Sequence, residues 1–187
     1  MRITGGTQKG KLIQTVKGQD VRPTSSKVRE SIFNIIQLSD SGTIFYEGET
    51  IVLDLFAGSG IIGLEALSRG AEKAVFVEKN PHHCEIIKKN LQNFSDFETK
   101  LINFDALKVL DKIEEKFNFI FIDPPYASEL YEPVLKKIQE NKILTDEGFI
   151  ILEHSSNLNL EKIICESGFK IYKTKMYGDT GITVLKH

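Results

Sequence analysis

An α/β fold, with a largely parallel sheet and helices packed on both of its faces, follows from three features of this chain. From residue 50 onward, short apolar runs alternate with longer segments whose apolar residues recur at helical spacing. That alternation builds parallel strands joined by crossover helices. One run, Leu53-Asp54-Leu55, leads directly into Phe56-Ala57-Gly58-Ser59-Gly60-Ile61-Ile62-Gly63, a glycine-rich turn that opens a helix. Near the other end, two apolar runs flank Tyr177-Gly178-Asp179-Thr180-Gly181, a short glycine-containing loop of the kind that joins antiparallel neighbours.

In order along the chain, residues 1–22 read as short strands or loop, broken by Gly5, Gly6, Gly10 and Gly18. A helix then starts near Thr24, Ser25 or Ser26, any of which can cap it, with Val28, Ile32, Ile35 and Ile36 on one apolar face. Strands are expected at 50–55, 73–78, 99–104, 117–123 and 147–153, with helices near 60–69, 81–93, 106–115 and 128–141 between them. Within the last of these helices, Leu130, Val134, Leu135 and Ile138 make the buried stripe. A further helix near 158–167 stops at Gly168, and strands at 169–175 and 182–186 close the sheet. Residues 1–40 are expected to form a basic extension and helix, and residues 41–187 the main domain.

With 187 residues, 41% of them hydrophobic, the chain suffices for one full domain with its own core and a small appendage. No stretch approaches the roughly 20 apolar residues that span a bilayer, and Met1-Arg2-Ile3-Thr4-Gly5-Gly6 lacks the apolar centre of a signal peptide. The expectation is a cytoplasmic protein with no membrane partner. Cys84 and Cys165 stand far apart without metal-ligand spacing, so both are expected to pack and no metal site is expected. His82-His83-Cys84 does not change this, because sequence neighbours on a helix point in different directions. The net charge of −2 conceals an asymmetry. Residues 1–36 carry seven basic and two acidic side chains, and residues 37–187 carry 17 and 24. A basic arm on an acidic body suits a polyanion such as RNA, and it equally suits a solvated tail.

Gly58, Gly60 and Gly63 satisfy a dinucleotide-binding pattern, and Glu78 follows Gly58 by 20 residues at the end of the next strand. Taken alone, this spells NAD. Asp54, however, puts a negative charge where a pyrophosphate would lie, and that charge suits a ligand bearing an ammonium and a sulfonium, such as S-adenosylmethionine. Phe56, Ala57, Gly58, Ser59 and Gly60 then form the turn beneath the cofactor. Glu78 accepts from the ribose hydroxyls, and Asp105 is placed both to accept from an adenine amino group and to cap the following helix. Asp123-Pro124-Pro125-Tyr126 directly follows the apolar run 117–122. Proline fixes φ and carries no N–H, so the pair stiffens the turn and leaves carbonyl oxygens free as acceptors. The tetrapeptide is either an amine holder or a plain strand stop. If the first and fourth strands are neighbours, Asp54 and Asp123 meet where strand order reverses, the usual place for a ligand.

These segments, together with Arg22-Pro23-Thr24, Lys27-Val28-Arg29-Glu30, Gly63-Leu64-Glu65-Ala66-Leu67-Ser68-Arg69-Gly70 and Tyr177-Gly178-Asp179-Thr180, resemble the RsmD family of class I S-adenosylmethionine-dependent methyltransferases over nearly the whole length. The resemblance implies a Rossmann-like fold with a seven-stranded, mostly parallel sheet of order 3-2-1-4-5-7-6. It implies methyl transfer to the exocyclic N2 amino group of a guanine in small-subunit ribosomal RNA, by a monomer acting on RNA or on an assembling particle. Asp123, Pro124, Pro125 and Tyr126 would then grip and stack the base. Arg2, Lys9, Lys11, Arg22, Lys27 and Arg29 would hold RNA phosphates. Other readings are an adenine-N6 or other amino-group methylase, and a non-catalytic nucleotide- or RNA-binding protein.

Overall fold

The computed structural model describes residues 1–16, 24–37, 50–124 and 128–187. Seven strands form one sheet: β1 (Ile51–Asp54), β2 (Lys73–Glu78), β3 (Glu98–Asn103), β4 (Phe117–Ile122), β5 (Leu144–Ser155), β6 (Lys170–Tyr177) and β7 (Thr180–Lys186). The order is β3-β2-β1-β4-β5-β7-β6, as expected. Strands β3 through β5 are parallel, and β7 runs antiparallel to both β5 and β6.

Helices α1 (Ser26–Gln37), α2 (Ile61–Ser68) and α3 (Pro81–Leu91) cover one face, where Ile32, Phe33, Ile62, Leu64 and Ile87 pack with Val52, Phe76, Phe121, Ile151 and Val184. Helices α4 (Ala106–Leu110), α5 (Tyr131–Asn141) and α6 (Glu161–Ser167) cover the other, where Val109, Val134, Leu135 and Ile164 pack with Leu53, Val75, Ile120, Ile150 and Leu185. The inner strands β1, β2, β4, β5 and β7 therefore send alternate residues into two cores, which is why they read as apolar runs, whereas the edge strands β3 and β6 are largely exposed.

Three elements differ from the sequence reading. Strand β5 starts at Leu144, and its register against β4 jumps from Phe117↔Leu144 to Phe119↔Phe149. The jump leaves Asp146 and Glu147 in water while Leu144 and Phe149 stay buried. Helix α4 ends at Leu110, because the polar stretch after it turns away and Glu115 pairs with Lys73 at 2.8 Å. Cys165, expected to pack, is exposed.

The N-terminal segment is fastened to the domain by a buried ionic network. Residues 1–13 fold back on themselves through Ile3 N–H to Lys11 O (3.0 Å) and Ile13 N–H to Met1 O (2.8 Å). Arg29 of α1, 1% exposed, donates to Glu65 Oε1 (3.3 Å), Thr24 O (2.7 Å) and Arg2 O (2.9 Å). Glu65, also fully buried, accepts in addition from Thr4 N–H at 2.7 Å and from Arg69 Nε at 3.4 Å. Arg29 is thus removed from the set of RNA-facing cations: its charge is spent on a buried carboxylate and two carbonyls. Gly6 seals the junction with φ +75°, its Cα so close to α2 that a methyl there would meet Ser68 O at 1.7 Å. The expected boundary between residues 40 and 41 lies outside the described residues.

Candidate active site

The carboxyl ends of four neighbouring strands hold four acids on one face of the sheet. Asp54 pairs with Phe76 on one side and Phe121 on the other, and Phe121 pairs with Ile151. Paired residues point the same way and side chains alternate, so Glu78, Asp123 and Glu153, two positions beyond Phe76, Phe121 and Ile151, share the face of Asp54. Above them the turn from β1 to α2 is drawn tight by Ala57 N–H to Val77 O (3.0 Å) and Gly60 N–H to Ala57 O (2.6 Å). Gly58 (φ +55°) and Gly60 (φ +78°) take the left-handed conformation that this turn requires. At Gly63 a Cβ would come within 2.3 Å of the Phe76 ring, so the third glycine lets α2 lie directly on the sheet.

A cavity of about 470 Å³ opens there. Asp54, Phe56, Ala57, Gly58, Ser59, Glu78, Asp105, Asp123 and Pro124 all line it. The expected convergence of Asp54 and Asp123 on one cavity is thus a feature of the fold. Gly60 caps α2 at its edge, and Pro125, Tyr126 and Arg22 lie outside the described residues.

The acids are individually positioned. Asp54 Oδ2 accepts from Gly63 N–H at 3.2 Å. Glu78 accepts from Gly58 N–H and Asn80 N–H, each at 2.8 Å. Asp105 caps α4 through Lys108 N–H (3.3 Å) and pairs with Lys79 at 3.1 Å. Burial pushes the Asp54 carboxyl up to about 7, with Glu78 adding to the rise and the Gly63 N–H opposing it. Asp123 is raised well above the ordinary carboxylate range by burial first, then by repulsion from Glu153 and Asp54. Burial also acts most strongly on Asp105, upward, but Lys79 and the α4 amides together leave it lowered.

Several lining residues were not assigned to the site from sequence. Thr24 lines the cavity and donates to Glu153 Oε2 at 2.7 Å. Phe104, Ala106 and Leu107 form an apolar wall beside Asp105, and His83 stands 3.5 Å from Glu78. The alternation Phe149, Ile151, Glu153 in β5 was the available signal for Glu153. His154, by contrast, turns away, with its ring nitrogens on Ser155 O and Thr183 Oγ1 at 2.9 Å.

Of the expected phosphate contacts, Arg2, Lys9 and Lys27 are exposed, and Lys11 is half-buried with its Nζ on Asn93 O and over the Phe94 ring. Among the described residues no helix is long and apolar enough to cross a membrane.

The cavity's charge and shape fit an adenosyl sulfonium. Asp54, Glu78, Asp105 and Asp123 face it with Lys79, already paired to Asp105, and His83, so a cation is favoured over a phosphate. Glu78 offers a carboxylate to a ribose, and the Phe104–Leu107 wall offers a surface to a flat ring.

Residues 1–186 match the family model described as "Conserved hypothetical protein 95". The chain is 36% identical over 190 residues to the Bacillus subtilis protein named "Putative rRNA methyltransferase YlbH", covering 100% of this chain and 98% of that one. It is 28% identical over 191 residues to "Ribosomal RNA small subunit methyltransferase D" of Escherichia coli, covering 96% and 93%. A solved structure described as "Putative methyltransferase yhhF" from Escherichia coli superposes with a TM-score of 0.82 at 28% identity, covering 100% and 97%. Sheet order, acidic cavity and full-length matches agree, and the chain belongs to this family, the RsmD family, with the Rossmann-like fold of class I methyltransferases.

Proposed function

We propose that this protein transfers a methyl group from S-adenosylmethionine to the exocyclic N2 amino group of a guanine in small-subunit ribosomal RNA. One observation carries the reading: Asp54 and Asp123, on adjacent strands, open onto a single cavity that the glycine turn also lines. Names of the relatives quoted above point to rRNA as the substrate class.

The bound donor supplies an electrophilic methyl on a positively charged sulfur. Asp54 and the turn 56–60 hold its amino-acid end, Glu78 its ribose, and Asp105 with Phe104 and Leu107 its adenine. On the substrate side, the guanine amino lone pair is delocalised into the ring, so the nitrogen must be turned toward sp³ before it can attack. Asp123 Oδ and the Pro124 carbonyl accept from the two amino hydrogens and aim the lone pair, and Tyr126 stacks on the base. Orientation supplies most of the rate. Asp123, once ionised, also takes the departing proton. The base reaches this depth only when unpaired or flipped out. Arg2, Lys9, Lys11, Arg22 and Lys27 hold flanking phosphates. The protein works as a cytoplasmic monomer on RNA or on an assembling particle.

Mapping methylated nucleotides in ribosomal RNA from cells with and without this protein tests the reading. One N2-methylguanosine should vanish from the small-subunit RNA. Loss of an N6-methyladenosine instead, or of no RNA mark, overturns it.

A further inference from the structure

Glu153 has no part in the chemistry above, yet it is buried beside the proposed methyl acceptor site. Ile122 pairs with Leu152, so Asp123 and Glu153 leave adjacent parallel strands side by side, about 4.8 Å apart at the backbone. The side chain is 8% exposed and held at 2.7 Å by Thr24, while its backbone carbonyl accepts from Tyr131 OH at 2.6 Å. Glu153 lines a second cavity of about 340 Å³, with Ser25, Lys27, Tyr177, Gly178 and Thr180. Thr24 lines the first cavity, so the Thr24–Glu153 pair is the wall between the two.

Two carboxylates side by side call for two adjacent hydrogen donors. Guanine offers that pair on one edge, N1–H next to the 2-amino group. The adenine amino group lies between two ring acceptors, the cytosine amino group beside one, and a glutamine amide beside its own carbonyl. We propose that Glu153 is the residue that selects guanine: its carboxylate accepts the N1–H while Asp123 accepts from the neighbouring 2-amino group. Lys27 lines the second cavity together with Glu153, where it is placed for a flanking phosphate. This assignment rests on the guanine-N2 reading of the preceding subsection.

The test uses an RNA, or a particle reconstituted with it, carrying the mapped site as guanosine or as 2-aminopurine, which keeps the 2-amino group but has an acceptor at N1. Wild-type kcat/KM should fall about 100-fold on 2-aminopurine, the size of a lost charge-assisted hydrogen bond with a carboxylate left facing an acceptor. Glu153→Gln should lose about 100-fold on guanosine and discriminate less than about threefold, because its amide can donate to N1. Its S-adenosylmethionine affinity, measured by calorimetry, should stay within about threefold of wild type and certifies the fold. Thr24→Val, which frees Glu153, should lose about 10-fold on guanosine and less on 2-aminopurine. A Glu153→Gln enzyme that slows equally on both RNAs makes the residue structural and overturns the assignment. If wild type leaves no N2-methylguanosine at all, the guanine reading fails first and separately.

Discussion

Replacing Asp54 with asparagine should make the ligand-free protein more stable while weakening cofactor binding. The carboxyl is 1% exposed, and its folded-state value lies near 7 against 3.8 when free. At 1.36 kcal/mol per unit this corresponds to roughly 4 kcal/mol of destabilisation once the group is ionised. The sign follows from the direction of the shift. A raised acid binds its proton more tightly when folded, so its contribution to stability is complete below about 3.8 and is lost as pH rises toward about 7. Asparagine carries no charge and keeps an oxygen to accept the Gly63 N–H. Urea unfolding of both proteins without cofactor, from pH 4.5 to 9, is the assay. D54N should lead by only about 1 kcal/mol at pH 4.5, then gain steadily and level off about 4 kcal/mol ahead above pH 8. Saturating S-adenosylmethionine should then add stability to wild type, about 2.7 kcal/mol at a hundredfold excess over Kd, and much less to D54N. A difference that stays flat with pH would refute the buried-charge argument, and equal cofactor affinity would refute the role of Asp54 in binding.

Asp123→Asn should lower kcat about 1000-fold, with cofactor affinity within about threefold by calorimetry, and the wild-type rate should climb as pH rises through the raised Asp123 value. Arg29→Ala removes one of the two guanidiniums on Glu65, which is 0% exposed, and leaves Arg69 at 3.4 Å, so urea unfolding should show a loss of about 3 kcal/mol, the low end for a broken buried pair. Folded Arg29→Ala protein should retain its RNA affinity, since that guanidinium never reaches solvent. Substituting Arg2, Lys9 and Lys27 together by glutamine should weaken RNA binding and flatten the plot of log affinity against log salt by about 0.7 per lost contact on single-stranded RNA. An unchanged slope makes the arm structural.

The architecture was legible because its signals are local and repeated. Apolar runs at 50–55, 73–78 and 117–123, separated by amphipathic stretches, specify strands buried on both faces, and the Gly178 loop specifies the antiparallel closure. Acids at run ends, Asp54, Glu78 and Asp123, needed only the strand order to be brought together. Less legible was anything set by pairing across the chain. Arg29 read as a surface cation, although Phe33 and Ile36, four and seven residues on, put it on the apolar side of α1. Its partner, Glu65, lies in the otherwise apolar helix Ile61–Ser68, and a lone acid there was the clue that a buried cation must exist. Glu153 escaped for a similar reason. Its meaning depends on Asp123 in the next strand, 30 residues away in sequence.

The glycine pattern is where sequence and geometry part most usefully. Gly58-Ser59-Gly60 with Gly63 formally spells a pyrophosphate site, in which helix N-terminal amides donate to phosphate oxygens. Helix α2 begins at Ile61, so the Gly63 N–H is one of the few amides free for that purpose, and it is already on Asp54. The Gly58 N–H, in the turn itself, is on Glu78. Two of the donors that an anion could use are therefore occupied by carboxylates of the protein itself. Seating a diphosphate would require breaking these bonds and bringing two negative charges against Asp54 and Glu78. A cationic ligand needs neither change: it leaves the amides where they are and supplies a counter-charge to Asp54 and Asp123, which burial first, and repulsion from neighbouring acids after it, hold above the ordinary carboxylate range. The same three glycines thus serve opposite ligand charges, and the acid ending β1 decides between them.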